Sequence, residues 1–389
     1  MEKIIAAHNN EYGKNPDVIA TAPGRFHLAG EHTWYFKDKT LSMAIDMPVY
    51  IAASRRDDSS LRFYFVQLDE RKRSNISTLK FRKEDRWANA LKAVIYGFGS
   101  CGFDCSGMNI TVYSEILPSA GFGITTALKI GTALICRKLF NHPCVDSQIF
   151  QIIERGNTYF LNNGNYLADI YSAWYAKKGT CILTDHKKNT FKTIPMRFEG
   201  YTILLTDARV PRISLWNKEI LHSPENFLLM AELKIQKDND WVYEDSQVEI
   251  NDVLSIADED TRRRLICIMN EHKNVLEAVK GLELNDFAQF GRAINASHEI
   301  MRDMFTISCP EIDWIVKRVS EFDPYASSRT PTACSRITGK GFGRCVYAIV
   351  KNEDVETFRQ KLVEYERIFG FHPSCYEVKP SDGAHIIDF

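Results

Sequence analysis

The sequence has no apolar run long enough to span a bilayer, and Met1-Glu2-Lys3-Ile4-Ile5-Ala6-Ala7-His8 lacks the basic start and long apolar stretch of a signal peptide. A cytoplasmic protein with no membrane partner is therefore expected. Net charge is scarce too, at −1, so no global field draws in nucleic acid or an anionic surface. The basic clusters Arg71-Lys72-Arg73 and Arg262-Arg263-Arg264 each follow acidic residues and read as solvated faces rather than nucleic-acid sites. The ten cysteines form no CxxC pair, and Cys101 and Cys105 have no second Cys or His pair nearby to complete a zinc site. Cys136, Cys181, Cys267 and Cys345 lie in apolar segments, where a free thiol behaves as a small hydrophobe, as expected in a reducing compartment. Internal repeats and low-complexity segments are also missing, which excludes a solenoid or a disordered linker.

What is present is an ordinary globular composition, 44% apolar and 25% charged over 389 residues, enough for two domains. The turn at Phe198-Glu199-Gly200 before the strand-like Tyr201-Thr202-Ile203-Leu204-Leu205-Thr206 puts the boundary near residue 200, giving domains 1–200 and 201–389. In the first half, Ser42 to Ala53 and Leu61 to Leu68 read as strands and Trp87 to Gly97 as a helix, while the strand at Ile19 to Ala22 is expected to break at Pro23-Gly24. The second half is rich in helical spacing, at 226–235, 260–282, 286–303 and 311–321, and returns to strands at 345–350 and 376–378.

One stretch organises the rest. The strand-like Met108 to Ser114 leads into Leu117-Pro118-Ser119-Ala120-Gly121-Phe122-Gly123-Ile124-Thr125-Thr126-Ala127, which runs into an apolar helix. Strand, glycine loop and helix start suit an anion. Glycines let backbone N–H groups face a ligand, the first helical turn leaves donors unpaired, and Thr125 and Thr126 add hydroxyls. No Gly-Lys-Ser/Thr follows, so this is not a Walker loop, and a tight turn capped by a threonine stands beside the phosphate reading. Two further glycine turns, Gly24 to Gly30 and Gly339 to Gly343, carry flanking hydroxyl or basic residues. Three such turns point to a shared phosphate-bearing ligand.

Pro23-Gly24-Arg25-x-x-Leu28-x-Gly30-Glu31-His32-Thr33-x-Tyr35 resembles the galactokinase signature, and the other two turns resemble the second and third motifs of the GHMP kinases. Ser297-His298-Glu299-x-Met301-Arg302-Asp303, Ser308 to Asp313 and Asp382-Gly383-Ala384 join the likeness, which covers nearly the whole chain. The resemblance implies an α/β (α+β) enzyme of two domains, an N-terminal S5-like domain and a C-terminal ferredoxin-like α+β domain, with ATP and a sugar bound in the cleft between them. It implies ATP and Mg²⁺ as cofactors and a small-molecule sugar or polyol as substrate. By itself Asp169 reads as a helix cap or turn residue. The resemblance instead makes it the base, with Arg25 as its electrostatic partner. Phosphoryl transfer leaves the protein little covalent work, so a carboxylate to take the hydroxyl proton and an arginine to offset charge are the groups it needs.

The same resemblance assigns Glu31, His32, Trp34 and Tyr166 to the sugar. It assigns Gly121, Gly123, Thr125, Thr126, Gly339 and Gly341 to the nucleotide, and Thr126 and Asn157 to the metal. Departures from the family pattern matter. Trp34 stands where the family has an aspartate that binds galactose hydroxyls, and Tyr166 replaces a small residue, so galactose is the default in an altered pocket. Asn157 falls where the family has a metal-binding glutamate, and a hard cation prefers a carboxylate, with Glu154 one turn earlier as a substitute. Lys340 and Arg344 replace small residues and either bring charge to the phosphates or face solvent. A sugar kinase is thus the first expectation, and a sensor or pseudokinase of the same fold the alternative.

Overall fold

The computed structural model describes residues 1–33, 37–116, 121–164, 166–211, 259–322, 330–339 and 344–389. Trp34, Lys340, Gly341 and the helix expected at 226–235 lie outside the described residues. The chain forms two compact units, and neither is a single stretch of sequence. One comprises Met1–Phe26, Met43–Lys178 and Pro380–Phe389, the other His27–Ser42 and Gly179–Lys379. This differs from one cut at residue 200, because strand pairing rather than composition brings the last ten residues back to the first unit.

In the first unit, β1 (Val18–Ala29), β2 (Lys39–Arg55), β3 (Ser60–Phe65), β4 (Glu70–Asn75), β5 (Met108–Ser114) and β12 (His385–Ile387) lie in the order β12-β1-β2-β5-β3-β4. The β2–β5 pair is antiparallel, with Ile51 opposite Val112, while β3 and β5 run parallel with Phe63 opposite Ile110. β1 does not break at Pro23-Gly24. Its pairing to β12 ends at Thr21, and a proline beyond that point interrupts no rung of that pair. Helices α1 (Glu2–Tyr12), α2 (Ala88–Ser100), α3 (Ile124–Leu139), α4 (Asp146–Arg155) and α5 (Leu167–Tyr175) belong to this unit. A glycine is needed on α2 because a Cβ at Gly97 would sit 2.2 Å from the Ile152 carbonyl oxygen of α4, and likewise at Gly156, 2.2 Å from the Ala93 oxygen. The C-terminal segment fastens α5. Gly383 and Ala384 donate N–H bonds to the Ala176 and Ala173 carbonyls, both at 2.8 Å, and the Asp382 carboxylate accepts from the Lys178 N–H at 3.0 Å.

The second unit holds β6 (Thr180–Asp185), β7 (Thr190–Pro195) and the start of β2, together with an antiparallel sheet of β8 (Tyr201–Asp207), β9 (Cys334–Thr338), β10 (Cys345–Lys351) and β11 (Ser374–Val378) in the order β11-β8-β10-β9. Among its described residues the helices are α6 (Glu259–Leu284), α7 (Phe287–Glu299), α8 (Pro310–Ser320) and α9 (Val355–Phe369). The ends of these helices are written locally. Asp286 caps α7 by accepting the Gln289 N–H at 3.0 Å, and Pro310 opens α8 with Glu311 and Asp313 in its first turn. Leu204, Met301, Ile312, Val346, Phe358 and Tyr365 are among the side chains of the unit's core.

Candidate active site

In the first unit the glycine loop and the two residues expected to do chemistry come together. Gly123 caps α3 with φ +86°, a left-handed conformation that strains any residue bearing a Cβ, and a Cβ there would also lie 2.8 Å from Arg25 Cγ. Arg25 is anchored by its own N–H to the Phe122 carbonyl at 2.8 Å. Its Nη2 donates to Asp169 Oδ2 at 2.5 Å, and the two side chains are 12% and 15% exposed, so the pair is shielded yet open to a ligand. Arg25 Nε is buried with no hydrogen-bond partner among the described residues. Thr126 Oγ1 donates to the same carboxylate oxygen at 3.3 Å. Asp169 is the third residue of α5, and its N–H bonds to the Tyr166 carbonyl at 3.1 Å, which places half-buried Tyr166 at the N-cap of that helix. Gly121, at φ +83°, and Thr125 are exposed beside this group.

Lys129 was not legible as a site residue. It lies one turn beyond Thr126 on α3 and donates its ammonium to Asn157 Oδ1. Burial pushes Lys129 down to about 8, with the nearby Asp169 charge working in the opposite direction. Asn157 itself is buried in a short π-helical turn, Gly156–Phe160. These residues do not fit a divalent cation held by the protein. Asn157 offers a neutral oxygen already bonded to an ammonium, Thr126 directs its proton to Asp169, and no cluster of three His, Cys, Asp or Glu residues able to hold a metal occurs among the described residues. Glu154 does not substitute, since it is exposed and lines a separate surface hollow with Cys101, Gln151 and Tyr159.

In the second unit, Glu31 belongs to a buried charge network that sequence motifs did not reveal. Arg336, 0% exposed, donates to Glu31 Oε1 and Oε2 at 2.7 and 2.8 Å, to Glu271 Oε1 at 3.2 Å and, through Nε, to Ser297 Oγ at 2.7 Å. Glu271 also accepts from the Gly30 N–H at 2.8 Å and from Ser297 Oγ at 2.6 Å. Burial works to raise the Glu31 carboxyl, but Arg336 overcomes it and holds Glu31 below its usual range. In Glu271 burial prevails over the same arginine, and the carboxyl is raised. Gly30, at φ +83°, could not carry a Cβ, which would lie 2.3 Å from the Lys39 carbonyl.

His32 is buried, and burial pushes it down to about 4 against the pull of Glu31, so it is neutral at pH 7. Its Nε2 makes no hydrogen bond among the described residues and stands 3.9 Å from Glu31 Oε1. Gly339 is half-buried at φ +81° with open space around its missing Cβ. The motif residue His298 accepts the Ile337 N–H at 3.3 Å and lies 3.4 Å from Asp313. Arg344 pairs with buried Asp207 at 2.9 Å.

The comparisons agree with this architecture. A model described as the GHMP kinases C-terminal domain matches residues 278–367, and one described as the galactokinase galactose-binding signature matches residues 6–55. The Methanococcus jannaschii mevalonate kinase shares the fold, with a TM-score of 0.64 at 17% identity over 94% of this chain and 98% of that one. Fold and motifs together define a small-molecule kinase of the GHMP class. Over 389 residues the chain is 41% identical to a Treponema pallidum (strain Nichols) protein named "Putative galactokinase", covering 100% of this chain and 97% of that relative. It is 29% identical over 380 residues to the galactokinase of Glaesserella parasuis serovar 5, covering 97% and 96%. The Lactococcus lactis galactokinase, solved with galactose, shares the fold with a TM-score of 0.88 at 20% identity, covering 99% of both chains. The chain belongs to the galactokinase family and is a sugar kinase. No helix among the described residues is long and apolar enough to cross a membrane.

Proposed function

We propose that the chain transfers the γ-phosphate of ATP to a hydroxyl of a monosaccharide, with galactose the first candidate because the relatives are named for it. The observation that carries this reading is the shielded Arg25–Asp169 pair at 2.5 Å beside the glycine-capped start of α3. In the proposed step the substrate hydroxyl gives its proton to Asp169 as its oxygen bonds to the γ-phosphorus. The bond from that phosphorus to the β–γ bridging oxygen breaks, and ADP leaves with the electron pair. Arg25, bonded to that carboxylate, offsets charge on the phosphoryl group. Gly121, Gly123, Thr125, Thr126, Gly339 and Gly341 are assigned to the nucleotide, and Glu31, His32, Trp34 and Tyr166 to the sugar, from the motifs they occupy. Mg²⁺ enters as the counterion of ATP rather than on side chains of this chain.

Trp34 and Tyr166 put aromatic bulk where the family pattern has an aspartate and a small residue, so discrimination between galactose and analogues that differ in one hydroxyl is expected to be altered. A site built to bond a hydroxyl rejects analogues lacking it by large factors. The test is ADP release over a panel of monosaccharides and polyols. Galactose or a close analogue should give the highest kcat/KM, and ADP release with none of them would refute the reading.

A further inference from the structure

Lys129 lies on α3 between residues that are themselves buried, Ala127, Leu128, Ile130 and Gly131. Helical spacing puts it three and four residues after Thr126 and Thr125, on the same face, and its ammonium donates to buried Asn157. The Asp169 charge favours the charged form of Lys129, and the same carboxylate is bonded to Arg25. One cation is bonded to this carboxylate and a second, bonded to Asn157, feels its charge. A divalent-cation site requires the reverse, several oxygen anions around one cation.

We propose that the Lys129 ammonium takes the place of a protein-held divalent cation, supplying fixed positive charge to the nucleotide phosphates at the start of α3, and that Asn157 aims it. The proposal rests on the reading of Arg25 and Asp169 as the transfer centre. It adds that this chain binds nucleotide phosphate through its own ammonium, and that a neutral amide at 157 suits that task because a carboxylate there would cancel the charge. Asn157 is thus a positioning residue. A fixed ammonium in a shielded site needs no reorganisation as charge builds on the phosphoryl oxygens.

The test is binding of the non-hydrolysable analogue AMP-PNP to the full chain by calorimetry, with Mg²⁺ and again with EDTA. The wild type should lose less than about tenfold in affinity when Mg²⁺ is withdrawn, since part of the charge stays on the protein. Lys129→Met should bind at least about tenfold more weakly than wild type in EDTA, the size of one lost charge-assisted contact, and Lys129→Arg should recover most of it. Lys129→Met matching the wild type in both conditions would overturn the proposal. So would one Mn²⁺ bound per wild-type chain without nucleotide, by electron paramagnetic resonance, and lost in Asn157→Ala. That titration decides alone if Lys129→Met does not fold. Failure of the transfer-centre reading shows separately, as turnover surviving Asp169→Asn while these binding results stand.

Discussion

Replacing Arg336 by methionine would expose how the second unit holds its signature turn. The guanidinium is fully buried and makes five hydrogen bonds, two to Glu31, one to Glu271, one to Ser297 and one to the Ile337 carbonyl. Methionine fills much of the volume but strands both carboxylates. Removing one partner of a buried ion pair costs about 3–5 kcal/mol, because the remaining charge stays buried without compensation. Glu271 keeps the Gly30 N–H and Ser297, so the larger share of that loss falls on Glu31. At roughly 2–4 °C per kcal/mol for a chain portion of this size, the midpoint of thermal unfolding should drop by roughly 6–20 °C at pH 7.5.

The loss should also depend on pH in a specific direction. In the variant the two carboxyls rise above their unfolded values, so the folded state takes up protons first and the deficit relative to wild type shrinks as pH falls from 7.5 towards 5. Differential scanning calorimetry at three pH values measures both effects, and Glu31→Gln added to Arg336→Met should recover part of the midpoint. A deficit below about 1 kcal/mol, or one that does not change with pH, would refute the argument, since a surface pair is worth no more than that.

Three further outcomes follow from the same geometry. Gly123→Ala combines a strained φ with a Cβ 2.8 Å from Arg25 Cγ, so it should lower kcat at least about tenfold by displacing the guanidinium, with a stability loss of about 1–2 kcal/mol, read from initial rates and chemical denaturation. Gly30→Ala meets the Lys39 carbonyl backbone at 2.3 Å, which cannot rotate away, and should cost more stability than Gly123→Ala in the same denaturation assay. His8, buried between Thr111 Oγ1 at 2.8 Å and Ser54 Oγ at 3.0 Å, is pushed down to about 4 by burial. The unfolded chain then binds the proton first, so stability is full above pH 6.5 and falls by about 2 kcal/mol towards pH 5, and His8→Gln should flatten that slope in calorimetric titrations.

Much of the site could be read from residue order because its parts are local. The strand at Met108–Ser114, the glycine loop and the helix start at Ile124 follow one another, and each leaves its own signal in side-chain alternation or in glycine. Arg25 and Asp169 are 144 residues apart, and only the family motifs bring them together on the page. Arg336 and Glu271 had no such help. A single arginine in the short strand Cys334–Thr338 looks like any polar strand residue, and its partners lie 65 and 305 residues away. β4 escaped for a different reason. Glu70-Arg71-Lys72-Arg73-Ser74-Asn75 carries charge instead of alternation, as suits the last strand of its sheet order, and Arg71 is neutralised by Glu11 at 2.8 Å and Asp69 at 2.9 Å. The interleaved units also lie beyond a reading along the chain, since a return at Pro380 depends on a pairing with Ile19 to Thr21.

The phosphotransfer assignment is tested most directly by Asp169→Asn, a nearly isosteric change that removes the proton acceptor together with the charge paired to Arg25. Steady-state ADP release with the best sugar should fall by about 10²–10⁴-fold, the usual range for losing a general base, while AMP-PNP still binds. Wild-type turnover in Asp169→Asn would contradict the account.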